Sequence, residues 1–280
     1  MKRIYLVFLT LILGLGLTQW NVSSLRAQEN DSFKGEQNVA SDISDEDKFA
    51  NLLKQMEGRI TQLEKEYIRM KDFHEIQNLM GRYVYMHEAN RYAELFKTAF
   101  AQETPGVSVE VANGGVFLSE SLPKLEKKTA EIMEKFKKGS LYVHPLTTPV
   151  IEIAGDGKTA KGVWMSPGYE AGGNDPETNK PIPAFVYTKY GVDFVKENGK
   201  WKIWHYHVYR VFMTPWNIPI TEEWEKNERD KLRNLQPDEN DQPDLPTTYD
   251  NPYSVDTVRE LVPVPPEPYE TFSETFSYGP

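Results

Sequence analysis

The 280-residue chain contains no cysteine. Disulfides, thiolate metal sites, cysteine nucleophiles and thiol redox motifs are therefore excluded, and the fold must hold through packing alone. A clustered basic stripe is also missing, with 32 Lys and Arg against 42 Asp and Glu for a formal charge of −10. Binding to a phosphate backbone draws its affinity from such clusters, so nucleic acid is not expected as a partner. Neither a glycine-rich phosphate loop nor a nucleophile elbow occurs, which ranks phosphoryl transfer and serine hydrolysis low. Histidine is scarce: His74, His87, His144, His205 and His207 are the only five. Proton transfer near neutral pH thus has few candidate carriers.

One long apolar run exists, Ile4 to Leu17, preceded by Lys2 and Arg3 and followed by Leu25-Arg26-Ala27-Gln28. It is short for a bilayer span and reads as a secretory signal cleaved after Ala27, or else as an uncleaved anchor. Export to the periplasm or beyond is expected, with no stable membrane insertion once the signal is removed. The negative charge is localised. Residues 213–280 hold 5 basic and 15 acidic residues and 11 of the 19 prolines, whereas the preceding 212 residues are balanced. That composition describes an extended tail rather than a second packed domain. Its aromatic residues, among them Trp216, Tyr249, Tyr269 and Phe276, predict a strap lying on the domain or on a neighbouring subunit.

Between signal and tail the hydrophobic period divides the chain. Residues 28–46 are polar and acidic, a linker pattern. Over 47–71, Phe49, Leu53, Met56, Ile60, Leu63, Tyr67 and Met70 step by alternating fours and threes and reach His74, which lines a narrow apolar seam along a helix. Such a helix either folds onto its own domain or pairs with another helix, so a homo-oligomer is expected. From Asp72 the apolar face broadens through Ile76, Met80 and Tyr83, and a second short helix follows at Tyr92 to Phe96. A strand at Val107 to Val111 precedes a third helix over Ser119 to Lys138. Leu141 to Ala154, Ala160 to Tyr169, Ala184 to Val195 and Trp201 to Val211 then form a meander with turns at Gly155-Asp156-Gly157 and Glu197-Asn198-Gly199. Residues 72–212 are thus read as one α+β domain: about three helices against a strongly bent, mostly antiparallel sheet that forms a cone with an apolar interior.

The segment Ile76-Gln77-Asn78-Leu79-Met80-Gly81-Arg82-Tyr83, then Glu88 and Tyr92-Ala93-Glu94-Leu95-Phe96, resembles the opening helices of SnoaL-like proteins in the nuclear-transport-factor-2-like superfamily. Gly114 to Phe117, His144 to Asp156 and Tyr190 to Ile203 are similar in the same order. The family includes ketosteroid isomerases, polyketide cyclases, scytalone dehydratase and bile-acid dehydratase, beside members that only bind ligands. The resemblance implies cofactor-independent lyase or isomerase chemistry on a small, largely apolar hydroxy-carbonyl compound. It places His144 where the dehydratases have a catalytic histidine, and Tyr83 and Glu88 where bile-acid dehydratase has Tyr and Asp.

His144 is expected as base or shared acid-base group, Tyr83 as hydrogen-bond donor and Glu88 as the carboxylate that orients the histidine. Each has a structural alternative: a hydrogen-bonded histidine, a core aromatic or a solvated charge. Five helical positions turn by about 500°, so Tyr83 and Glu88 meet in one pocket only if the helix ends near Glu88. His87 shares the face of Tyr83 and rivals Glu88. The expected ligand-lining set is His87, His205, Thr148, Trp164 and Tyr85. On an ideal strand His205 and His207 would share a face with Trp201, Ile203 and Tyr209. Such a pair plus His144 could take up zinc, but no carboxylate at ligand spacing supports it, so neither metal nor cofactor is expected.

Overall fold

A computed structural model describes residues 44–135, 138–174, 178, 180–221 and 242–280. The expected signal, the expected linker up to residue 43 and the tail stretch 222–241 lie outside them. The chain divides into two units, Met1–Leu63 and Glu64–Pro280.

Helix α1, Asp45–Glu88, runs unbroken for 44 residues through the expected boundary at residue 72. Ser44 starts it by accepting the Asp47 backbone N–H at 3.1 Å, and Asp45, Glu46 and Asp47 lie in the positive first turn. Every residue from 44 to 71 is exposed; burial begins at Asp72 and continues at Ile76, Met80 and Tyr83. Asp72 fixes the start of that buried face, taking both Lys196 Nζ at 2.7 Å and Trp201 Nε1 at 2.9 Å. Helix α2, Tyr92–Ala99, adds Leu95 and Ala99 to the same core, and helix α3, Leu122–Lys135, follows two short strands. None of the helices among the described residues is long and apolar enough to cross a membrane.

The strands are β1 Ser108–Val111, β2 Val116–Leu118, β3 Leu141–Val143, β4 Thr147–Ile153, β5 Thr159–Asn174, β6 Pro181–Glu197 and β7 Lys200–Pro215. They form one sheet ordered β2-β1-β7-β6-β5-β3, with β4 also paired to β5. All pairings are antiparallel except β1 with β7. The curved, unclosed sheet and the three helices of the described residues make an α+β fold. Curvature comes from register shifts in β4/β5, β5/β6 and β6/β7, since a bulge adds a residue to one strand and increases its local twist. The β6–β7 turn has Asn198 and Gly199 at φ 49° and 74°, the positive angles that a two-residue hairpin needs.

Two strand expectations change. Leu141 to Ala154 is not one strand but β3 and β4, divided at His144-Pro145-Leu146 because Pro145 cannot donate to a ladder. In β7 the Asp193↔His205 and Phe194↔Ile203 pairs contain a bulge. It breaks the alternation, so Ile203 and Tyr206 both enter the core while His205 and His207 face the opposite side. The strand also continues past Phe212 to Pro215.

Residues 242–280 carry only one short 3-10 turn, Phe272–Glu274, yet they are bonded along their length to their own domain. Asp244 accepts from the Leu118 backbone N–H and Ser121 Oγ, Thr248 donates to Glu110, Tyr253 N–H donates to Val211 O, and Gly155 N–H donates to Tyr269 O.

Candidate active site

The break between β3 and β4 positions His144. Val143 pairs with Tyr169 and Thr147 with Met165, so His144 to Leu146 pass beside Ser166 to Gly168. Gly168 makes room for this: a β-carbon there would lie 2.7 Å from Val143 O and 2.8 Å from His144 Nδ1. Gly172 does the same for Tyr142, whose phenol oxygen would lie 2.2 Å from an added β-carbon. Two residues beyond Gly168 on the same face of β5, Glu170 brings Oε1 to 3.2 Å from His144 Nε2. The opposite ring atom, His144 Nδ1, is buried and makes no hydrogen bond.

Around this pair lie rings from both layers. The His87 ring, at the end of α1, stands edge-on to His144 with centroids 5.4 Å apart and is 5.4 Å from Tyr92 and 6.1 Å from Tyr83. Burial, then the neighbouring His144, push His87 down to about 4, so its imidazole is neutral at pH 7. Deeper inside, Tyr83 and Tyr190 flank Tyr206, with centroids at 5.0 and 5.6 Å. All three phenols are buried, and desolvation raises each well above its ordinary range or, for Tyr190, above it. They remain protonated donors across the physiological range. Ser166 and Thr188, paired across β5 and β6, place buried hydroxyls at Tyr190. The arrangement can hold one oxygen of a small ligand by neutral donors while an imidazole exchanges a proton.

The structure brings Tyr83, His87 and His144 together and leaves other expected residues elsewhere. Glu88 is exposed at the helix end, because one step beyond His87 turns it away from the core. Glu170 holds the place beside His144 that Glu88 was expected to fill. Tyr85 is 79% exposed; it lies two positions, about 200°, from both Tyr83 and His87 on α1. Thr148 is exposed at the β4 bulge with φ 51°. Trp164 is a core residue packed on Phe194. His205 is carried to the opposite sheet face by the β7 bulge. Sequence reasoning passed over Glu170, Gly168, Tyr190 and Tyr206. The available signal was the alternation Trp164, Ser166, Gly168, Glu170, Gly172, which puts a carboxylate and three small residues on one inward strand face.

The opposite face of the sheet has its own buried charges. Lys161 Nζ lies 2.6 Å from Asp193 Oδ1, both side chains fully buried, and Phe272, Phe276 and Tyr278 surround the ammonium at 4.4 to 5.2 Å. Asp193 Oδ2 accepts from Ser277 Oγ and from the Tyr278 N–H, and lies 2.8 Å from His205 Nδ1. Ser277, His205 and Asp193 are not a nucleophilic triad. Serine and aspartate face the same nitrogen of His205, at 3.0 and 2.8 Å, so the ring cannot relay a proton from one to the other. Nearby, His207 Nε2 lies 3.5 Å from Glu110, whose carboxylate accepts from Thr248 N–H and Oγ1 at 2.7 Å each. Among the described residues no group of three or more His, Asp or Glu side chains is arranged to hold a metal ion.

No curated protein sequence matches the chain. Solved structures similar to it include the Kfla4162 protein from Kribbella flavida, 15% identical with TM-score 0.43, covering 52% of this chain and 94% of that one. A second is the hexachlorocyclohexane dehydrochlorinase LinA-type3 from Novosphingobium barchaimii, 14% identical with TM-score 0.44 and coverage of 56% and 99%. A third is a candidate scytalone dehydratase from Novosphingobium aromaticivorans, 16% identical with TM-score 0.43 and coverage of 59% and 98%. The family profile of the SnoaL-like domain matches residues 69–207, the stretch that contains Tyr83, His87, His144, Glu170, Tyr190 and Tyr206. The chain therefore contains a SnoaL-like domain, over residues 69–207.

Proposed function

We propose that this is an exported, cofactor-independent lyase or isomerase that shifts a proton in a small, largely apolar hydroxy-carbonyl compound. The observation that carries the reading is the His144–Glu170 pair, with Nε2 facing the carboxylate at 3.2 Å and Nδ1 buried without a partner. A carboxylate at Nε2 favours the tautomer with the proton there, which leaves the Nδ1 lone pair as a base. Removal of a proton next to a carbonyl places negative charge on the carbonyl oxygen, and a neutral phenol from the Tyr83–Tyr206–Tyr190 group stabilises it. In an elimination the electron pair then expels the hydroxyl group, which takes up the proton from the imidazolium and leaves as water. Neither step requires a redox cofactor. His87, edge-on to His144 and held neutral at pH 7 by its burial, is a second wall of the site.

Export follows from the N-terminal run and its small-residue boundary at Ala27. The test of function is a panel of ring-bearing hydroxy-ketones screened by thermal shift and then assayed for loss of water or double-bond migration. His144→Ala and Glu170→Gln should each reduce turnover by roughly 10²- to 10⁴-fold while the circular dichroism spectrum stays unchanged. Full turnover in both variants overturns the assignment. Ligands that raise the melting temperature of the wild type without conversion would make the protein a binding module instead.

A further inference from the structure

The exposed half of α1 is the feature that the lyase reading leaves unused. From Ser44 to Lys71 every residue is exposed, and Leu53 and Ile60 at 45% and 53% exposure, and Met56 and Leu63 at 52% and 61%, line one seam. A lone helix gains too little from its own hydrogen bonds to hold such a surface in water, and helices of this kind are stabilised by packing of the apolar stripe. The alternating four-and-three spacing is that of a left-handed coiled coil. It assigns Leu53 and Ile60 to the first apolar position of each heptad and Met56 and Leu63 to the second. A β-branched residue at the first and leucine at the second, as in Ile60 and Leu63, favour two strands.

Charge decides the partner and its direction. With that register, the positions flanking the seam are Ala50, Leu52, Glu57, Arg59, Glu64, Glu66 and Lys71, of which Arg59, Glu64, Glu66 and Lys71 can form charge pairs while Leu52 would face Glu57. In a parallel, in-register pair each flanking residue faces the one five positions later on the other helix. Arg59 then meets Glu64 and Glu66 meets Lys71, opposite in sign in both cases and repeated on both sides of the two-fold axis. We infer that the segment from Phe49 to Met70 is a homodimerisation element, a parallel two-stranded coiled coil formed with a second copy of this chain.

The intact chain purified from the cell is expected to sediment as a dimer at micromolar concentration. Leu63→Asp should convert it to a monomer without lowering the stability of the domain, because Leu63 is exposed within a single chain. Arg59→Glu and Glu64→Arg should each weaken the dimer roughly tenfold, by loss of two exposed pairs and gain of two repulsions. The double exchange should restore it. The chain has no cysteine of its own, so Met56→Cys supplies a clean reporter: in a parallel, in-register dimer the two thiols meet and mild oxidation gives a disulfide-linked dimer. A monomeric wild type, or a dimer that survives Leu63→Asp, overturns the proposal. A dimer lost in Leu63→Asp but not cross-linked through Met56→Cys overturns the parallel register. None of these readouts depends on turnover, so the failure of this proposal is distinguishable from failure of the lyase assignment.

Discussion

The two faces of the central sheet hold histidine–carboxylate pairs in opposite circumstances. On the inner face His144 has Glu170 at one nitrogen and a buried second nitrogen that lies beside Gly168 and makes no hydrogen bond. On the outer face Asp193 is saturated by Lys161, His205, Ser277 and the Tyr278 N–H, all closed over by the chain's own C-terminal segment. The Tyr278 ring lies against Gly191, where a β-carbon would come within 2.6 Å of it. The lesson is that proximity of an acid and a histidine does not define a site. A pair with every valence occupied is a fastening, whereas a pair that keeps one nitrogen free at a lined interior is able to exchange a proton.

That contrast can be broken most forcibly at Asp193. Asp193→Ala leaves a buried ammonium at Lys161 uncompensated and should cost about 3–5 kcal/mol in chemical denaturation; a loss below about 1 kcal/mol would show that the outer cluster fastens nothing. A pH series sharpens the inner side. The unfolded chain protonates His87 near 6.5 and the folded chain only near 4, so the stability linked to this group is complete above 6.5. It declines as the pH falls from 6.5 to 4, by at most about 3 kcal/mol. His87→Gln should flatten that part of the stability curve measured by urea unfolding. Gly168→Ala forces a β-carbon into Val143 O and the His144 ring and is expected to cost roughly 1–3 kcal/mol. It should also remove turnover, and a variant with full activity would separate His144 from the chemistry. The smallest effect belongs to the tail: Ser277→Ala deletes one hydroxyl from Asp193 and should lower stability by about 1 kcal/mol with turnover unchanged.

Much of this was legible in order rather than in detail. The switch from helical to strand periodicity near Val107, and the turn residues at Asp156 and Asn198, mark the elements because local chemistry governs them. His144 was conspicuous, since only five histidines exist and one precedes a proline in an apolar strand. Its partner was not. Glu170 lies 26 positions later, and only the β3–β5 pairing, the Pro145 break and the room left by Gly168 bring the two together. His205 lies on the opposite sheet face from His144 for a similar reason, because a single extra residue in β7 exchanges the faces of the residues that follow it and leaves no mark in a two-residue pattern.

By itself, then, the sequence determined the α+β character, the seam on the first helix, the localisation of negative charge after residue 212 and the short roster of proton carriers. Each depends on residue type and spacing along the chain. The tertiary structure alone decided which carboxylate faces His144, which histidines lie beneath the tail and which phenols are dry. Those outcomes depend on strand register and bulges, and a shift of one residue in a sheet moves a side chain from the interior to the opposite face.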